Sequence, residues 1–163
     1  MRETRTRPPG AGRLILVCGL PGAGKTTLAR RLAAELPAVR LCPDEWLAHL
    51  GLDLFDDAAR DRLERQLWQH AQDLLRLGQV VVLEYGFWSR TERDGLRLAA
   101  RALGAAVELR YLAAPIDELC RRLESRNASG ARDTVPIPRD MLEEWAGLFE
   151  PPDRDELALF DPP

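Results

Sequence analysis

The stretch Arg13-Leu-Ile-Leu-Val-Cys18-Gly19-Leu20-Pro21-Gly22-Ala23-Gly24-Lys25-Thr26-Thr27 runs from apolar residues through a glycine-rich turn into helix-forming sequence. A short continuous apolar run that ends in glycines is the pattern of a strand buried on both faces. The segment from Gly19 to Thr26 fits G-x-x-x-x-G-K-[ST], and it stands directly after that strand and directly before a helix, the context such a loop requires. Glycines let the backbone curl so that successive N–H groups face phosphate oxygens, and the positive end of the following helix adds to the anion nest. Gly19, Leu20, Pro21, Gly22, Ala23, Gly24, Lys25, Thr26 and Thr27 are thus the expected nucleotide-binding set. Within it, Lys25 is expected to reach the β- and γ-phosphates and Thr26 to hold Mg2+.

Outward from this loop, strand and helix alternate. Residues 25–36 carry Leu28, Leu32 and Leu36 at helical spacing, and Pro37 stops them. A second apolar segment, 38–42, leads into Pro43, Asp44, Glu45 and Trp46, and a polar loop follows. Leu63, Leu67, Ala71, Leu74 and Leu75 then mark one face of a long helix that Asp56 or Asp57 is expected to cap and Gly78 to end. Residues 79–84 read as a strand, and Ser89 to Glu92 offers a capping box for a helix reaching Leu103. A strand over 106–112, an arginine-rich helix over 116–127 and a last helix over 139–149 follow, with turn composition between the two helices. Leu157 to Phe160 is a candidate fifth strand. The alternation predicts a three-layer α/β fold, a parallel sheet of four or five strands with helices on both faces, whose ligand site lies at the carboxyl ends of the strands. Residues 1–12 read as a flexible arm and 13–163 as one domain.

Bulk composition excludes more than it assigns. At 163 residues the chain suits one hydrophobic core, and a net charge of -3 supplies no basic field to recruit nucleic acid. The acidic balance and the lack of a basic-aromatic stripe weigh against a long polynucleotide partner. Cys18, Cys42 and Cys120 form no Cys-x-x-Cys pair, which fits a reduced, cytoplasmic setting. No run approaches the length of a membrane helix. Lys25 is the sole lysine in a chain whose other basic side chains, histidines aside, are all arginine, so an Asn-Lys-x-Asp guanine segment cannot exist. Assembly ATPases commonly end the third strand in Asp or Asp-Glu, whereas here Glu84 stands alone in a compact chain.

With the loop, the most specific segments are Leu41-Cys-Pro-Asp44-Glu-Trp46, Leu83-Glu-Tyr-Gly-Phe-Trp-Ser-Arg90 and Arg121-Arg-Leu-Glu-Ser-Arg126-Asn127. Together they resemble the small bacterial P-loop kinases, an AAA_33-like ATP-binding group that includes chloramphenicol phosphotransferase, zeta-toxin-type kinases and the kinase module of polynucleotide kinases. The resemblance covers nearly all of the chain after the arm and implies ATP, Mg2+ and phosphoryl transfer to a hydroxyl of a small acceptor such as a nucleoside, sugar nucleotide or antibiotic. It implies the strand order 2-3-1-4 in an adenylate-kinase-like arrangement with residues 127–138 as a short lid, that Asp44 takes the proton of the acceptor hydroxyl, and that arginines around the lid contact the transferring phosphate.

Asp44 also has a physical claim to that role, since neighbouring strands of one sheet deliver their ends to one crevice. An N-cap aspartate of a short helix through Trp46 and Leu50 is an equal reading of the same residue. Arg122 and Arg126, four apart, share a helix face, and Arg132 rivals them. Glu84 is expected to hold a magnesium-bound water or the acceptor; the resembled families often place Asp there. Trp46, Trp88 and Arg90 complete the expected acceptor-binding set, with Tyr85 and Phe87 as further aromatic walls or as plain core. The rival activities are a 5'-hydroxyl polynucleotide kinase and a regulatory module that binds ATP without turnover. Acceptor identity, oligomeric state and the choice between ATP and GTP are not written in the residues.

Overall fold

A computed structural model describes residues 10–130 and 135–163. Residues 1–9 of the arm and residues 131–134 of the lid, Arg132 among them, lie outside the described residues. The elements follow in the order β1 (Arg13–Cys18), α1 (Lys25–Glu35), β2 (Val39–Leu41), α2 (Pro43–His49), α3 (Asp57–Arg76), β3 (Val80–Gly86), α4 (Arg90–Ala102), β4 (Ala106–Tyr111), α5 (Ile116–Ala128), α6 (Arg139–Leu148) and α7 (Arg154–Leu157). The strands form one parallel sheet in the order β2-β3-β1-β4. β1 therefore lies at the centre, and its carboxyl end opens at the point where the connections diverge to either side.

Side-chain alternation sorts the sheet into two buried faces. Ile15, Val17 and Val82 pack with Ala29 and Leu32 of α1. Leu14, Leu16, Val81 and Leu83 face the other way, against Leu67, Ala71 and Leu75 of α3 and Ala100 of α4. A third cluster joins Ala23 of the glycine-rich loop to Leu119 and Leu123 of α5 and Leu142 of α6, so the loop is roofed by apolar packing on one flank. Caps explain the helix starts: Asp56 accepts from the Ala59 N–H at 2.9 Å, and Ser89 accepts from the Glu92 N–H at 3.1 Å.

Register brings the chemistry to one edge. Cys18 pairs with Gly86 and Tyr111, and Leu41 pairs with Leu83, so the three segments leaving β1, β2 and β3 emerge side by side. Between the pairs Leu16–Leu83 and Cys18–Gly86 the register shifts, and Glu84 and Tyr85 of β3 stand against Val17 alone. Such a bulge re-aims side chains at the end of a strand.

Two sequence expectations are corrected. Leu157 to Phe160 adds no fifth strand; Leu157 ends α7, whose start Asp153 caps by accepting from the Glu156 N–H at 2.7 Å, and residues 158–160 turn away from it. The carboxylate of Asp161 accepts from the Val107 N–H at 2.7 Å and its own N–H donates to Val107 at 2.8 Å, so the tail meets β4 at one residue before Pro162 and Pro163 end any ladder. Asp44 is not an N-cap. α2 is capped by Cys42 with Pro43 in its first turn, and Asp44 follows inside the helix, its carboxylate accepting from Arg60 of α3 rather than from the helix start.

Candidate active site

The loop from Gly19 to Gly24 needs its glycines for backbone reasons. A Cβ on Gly22, at φ 83°, would stand 3.0 Å from the Leu119 carbonyl oxygen, so α5 can approach the loop only over a glycine. Gly24, at φ 95°, turns the chain into α1 from a left-handed conformation. Lys25 then begins α1 and donates to the Leu20 carbonyl at 2.9 Å, which parks the ammonium across its own loop. Burial lowers the pKa of Lys25, and the charges of Glu84 and Asp44, in that order, oppose the shift. Both carboxylates are thus electrically coupled to the loop's only cation.

Glu84 is buried, and each of its oxygens is engaged. Thr26 donates its hydroxyl to Oε1, and Arg40 donates Nε to Oε2 at 2.8 Å. Arg40 extends the chain of contacts, donating to both oxygens of Glu45 at 2.9 and 2.8 Å, and Arg30 reaches Glu45 at 2.6 Å. Glu45 falls to a pKa of about 2, its hydrogen bonds from Arg40 leading the causes. A hydroxyl paired to a buried carboxylate is a fitting donor set for a hard divalent cation.

Asp44 is exposed, and Arg60 of α3 donates to it at 2.6 Å while also donating to the Leu54 carbonyl at 3.1 Å. Arg126, near the end of α5, feels the charge of Asp44. Desolvation lowers the Arg126 pKa and the Asp44 charge offsets it, while the buried Nε of Arg126 has no hydrogen-bond partner among the described residues. A desolvated guanidinium with an unmet donor is poised for an anion. Arg122 lies over the loop with Nη1 3.4 Å from the carbonyls of Gly22 and Ala23 and Nε 2.7 Å from Glu118. A groove beside the loop is lined by Ala23, Gly24, Thr27, Leu28, Leu112 and Arg122.

The remaining expected residues are distributed less tightly. Trp46 is exposed. Trp88 stands 5.6 Å from Trp145 of α6, ring centre to ring centre. Arg90 lies 3.6 Å from Asp94 and 3.8 Å from Asp153, toward the tail. Arg40, Arg60 and Arg93 were missed by sequence reasoning, because in an arginine-rich chain nothing distinguishes them. Arg93 was the most hidden: fully buried, it donates to both oxygens of Glu156 at 2.6 and 2.9 Å and to the Phe87 carbonyl at 2.8 Å. Phe87 is left-handed at φ 53°, and the Cys18 thiol, with its pKa pushed up to about 12 by burial, donates to the same carbonyl at 3.3 Å. Its neighbour Gly86 accepts from the Gly19 N–H at 3.1 Å, so the tail helix steadies the first glycine of the loop through Arg93.

Removing one member of a buried ion pair leaves the other unpaired, so Glu156→Ala should cost about 3–5 kcal/mol of folding stability. Urea unfolding checks this, and an Arg93→Met/Glu156→Leu double variant should recover most of the loss.

A parallel sheet in the order 2-3-1-4, with a phosphate-type loop after its central strand, defines a P-loop nucleotide-binding protein of the small-kinase type. The chain belongs to the AAA domain family, AAA_33, whose model matches residues 14–152. A search of curated proteins finds no significant match. Solved structures similar in fold include a gluconokinase from Sinorhizobium meliloti 1021, at 22% identity over 91% of this chain and 79% of that one with a TM-score of 0.61. Kti12 of Chaetomium thermophilum, solved with ADP-AlF3, is 20% identical over 86% of this chain and 81% of its own, with a TM-score of 0.67. The APS kinase CysC of Mycobacterium tuberculosis, solved with AMPPNP and APS, is 25% identical over 76% and 75% of the two chains, with a TM-score of 0.60. Among the described residues no helix is long and apolar enough to cross a membrane.

Proposed function

We propose that this chain is an ATP-dependent phosphotransferase that moves the γ-phosphoryl group onto a hydroxyl of a small-molecule acceptor. The observation that carries the reading is the placement of Asp44 just past the end of β2, on the same edge of the sheet as the glycine-rich loop that follows β1, with Arg60 donating to its carboxylate at 2.6 Å. A carboxylate in that place accepts the hydroxyl proton as the oxygen attacks the γ-phosphorus and the bond to the ADP oxygen breaks. Arg60 keeps the carboxylate in position through its contact with Asp44.

The loop N–H groups bind the phosphates, and Lys25 exchanges the Leu20 carbonyl for phosphate oxygens. The groove beside Thr27, Leu28 and Leu112 takes the base. Thr26 would be the direct protein ligand for Mg2+, and Glu84, already joined to Thr26, would help to hold it through water. When bound, Mg2+ supplies neutralisation of phosphate charge. Arg126 meets the charge that spreads over the phosphoryl oxygens in the transition state, and Arg122 supports the loop from above.

Arg126→Ala should lower the transfer rate by about 10² or more, the effect of losing one transition-state donor, while the apparent affinity for ATP moves only a few-fold. Steady-state kinetics with ATP varied at saturating acceptor separate the two. A change confined to ATP affinity would make Arg126 a ground-state binder. The reading as a whole is tested by acceptor-stimulated ADP release across a set of hydroxyl compounds.

A further inference from the structure

Arg90, Arg93, Arg97 and Arg101 stand three or four residues apart on α4 and so share one face of it. Each reaches the C-terminal tail. Arg90 lies 3.8 Å from Asp153, and its backbone N–H donates to Glu150 at 3.2 Å. Arg93 grips both oxygens of Glu156, the Arg97 guanidinium stands 5.7 Å from the centre of the Phe160 ring, and Arg101 donates to the Leu159 carbonyl at 2.8 Å. Residues 150–161 therefore lie along α4 as a strap.

Arg93 does more than hold the strap, because its Nη1 also donates to the Phe87 carbonyl at 2.8 Å, in the turn between β3 and α4. Phe87 is the one non-glycine residue at positive φ among the described residues, a conformation that an L side chain keeps only where its surroundings fix it. Three successive carbonyls of this turn are fixed from three directions. Gly86 accepts from the Gly19 N–H at 3.1 Å, Phe87 from Arg93, and Trp88 from the Glu150 N–H at 2.8 Å. The other donor to Phe87 is the Cys18 thiol at 3.3 Å, a weak one. Arg93 is thus the strong anchor of the turn, one residue from the carbonyl that sets where the glycine-rich loop leaves β1.

Resting on the triphosphate site of the phosphotransferase reading, we propose that Arg93 is a positioning residue for triphosphate binding, acting through Phe87, Gly86 and Gly19. Its planar fork serves Glu156 and the turn at once, and the strap holds it there. Loop N–H groups bind phosphate only when they converge, so a turn that loses its anchor lets the start of the loop drift. Arg93 is fully buried and does not itself meet phosphate. The buried pair therefore serves ATP binding as well as folding.

The test uses the full chain and two probes, ATP and inorganic tripolyphosphate, each with Mg2+, their dissociation constants read by calorimetry. Arg93→Met/Glu156→Leu removes both buried charges together, which keeps the fold while leaving the Phe87 carbonyl to the thiol alone. It should bind both probes about tenfold or more weakly, the effect of losing one charge-assisted hydrogen bond, and its Gly19 amide should exchange with solvent about tenfold or more faster by NMR. Arg93→Lys, with one ammonium in place of the fork, should shift both readings in the same direction. Arg97→Leu removes a strap contact that does not reach the turn, so it should lower the melting temperature and leave both readings at parental values. Parental affinity and parental Gly19 exchange in the folded double variant would overturn the proposal, leaving a pair that serves stability alone and the loop assignment untouched. So would a loss confined to ATP, or an equal loss in Arg97→Leu. If the double variant does not fold, Arg93→Lys decides on the same two readings. Failure of the parental protein to bind either probe would overturn the triphosphate site itself.

Discussion

Lys25→Ala should abolish use of the triphosphate, with transfer falling by about 10³ or more. The chain contains no second lysine, and the nearby guanidiniums of Arg122 and Arg126 belong to α5, outside the curl of the loop. The folded state should tolerate the change, because burial already disfavours the ammonium and its hydrogen bond is to a carbonyl of its own loop. The signature is therefore a separation of stability from binding. Wild-type protein at about 100 times the Kd of ATP gains about 2.7 kcal/mol of stability, and the variant should melt like the free protein at the same concentration. Turnover at the parental rate would sink the loop assignment.

The second large effect is expected at Asp44. Asp44→Asn keeps the shape and leaves an amide oxygen to accept from Arg60, while the proton acceptor is lost. Transfer should fall by about 10²–10⁴, the range for a positioned general base. Stability should change little, because Cys42 and not Asp44 caps α2; the loss of a negative charge from the first turn costs at most about 1 kcal/mol. ATP affinity should stay near the parental value, since Asp44 meets the phosphates only through Lys25 and Arg126. Kinetics and a melting curve with ATP present check these together. Parental transfer would move the proton acceptor to another carboxylate.

The loop, the alternation of strand and helix and the place of Asp44 after its strand were all legible in the residues because each rests on local chemistry. A P-loop is contiguous, strand and helix periods are read in short windows, and Asp44 follows its strand by three residues. What stayed hidden depends on distance along the chain. Arg93 and Glu156 are 63 positions apart, and nothing local marks either as buried. The bulge at Glu84 and Tyr85 is a property of pairing with β1, invisible in β3 alone. Arg60 looks like any exposed arginine of an amphipathic helix until α2 is folded against α3. The tail misled for a different reason: Leu157 to Phe160 has strand-like composition, but Leu157 ends a helix that Asp153 caps and residues 158–160 turn away from it.

Transfer of the γ-phosphoryl group to a hydroxyl is tested most directly by incubating the protein with γ-labelled ATP and a pool of small hydroxyl compounds and resolving the label by chromatography and mass. An acid-stable labelled organic phosphate should form with wild-type protein and be lost with both Lys25→Ala and Asp44→Asn. Label that remains in ATP or appears only as inorganic phosphate, in the presence of tight ATP binding, would contradict it and favour a nucleotide-binding regulatory module.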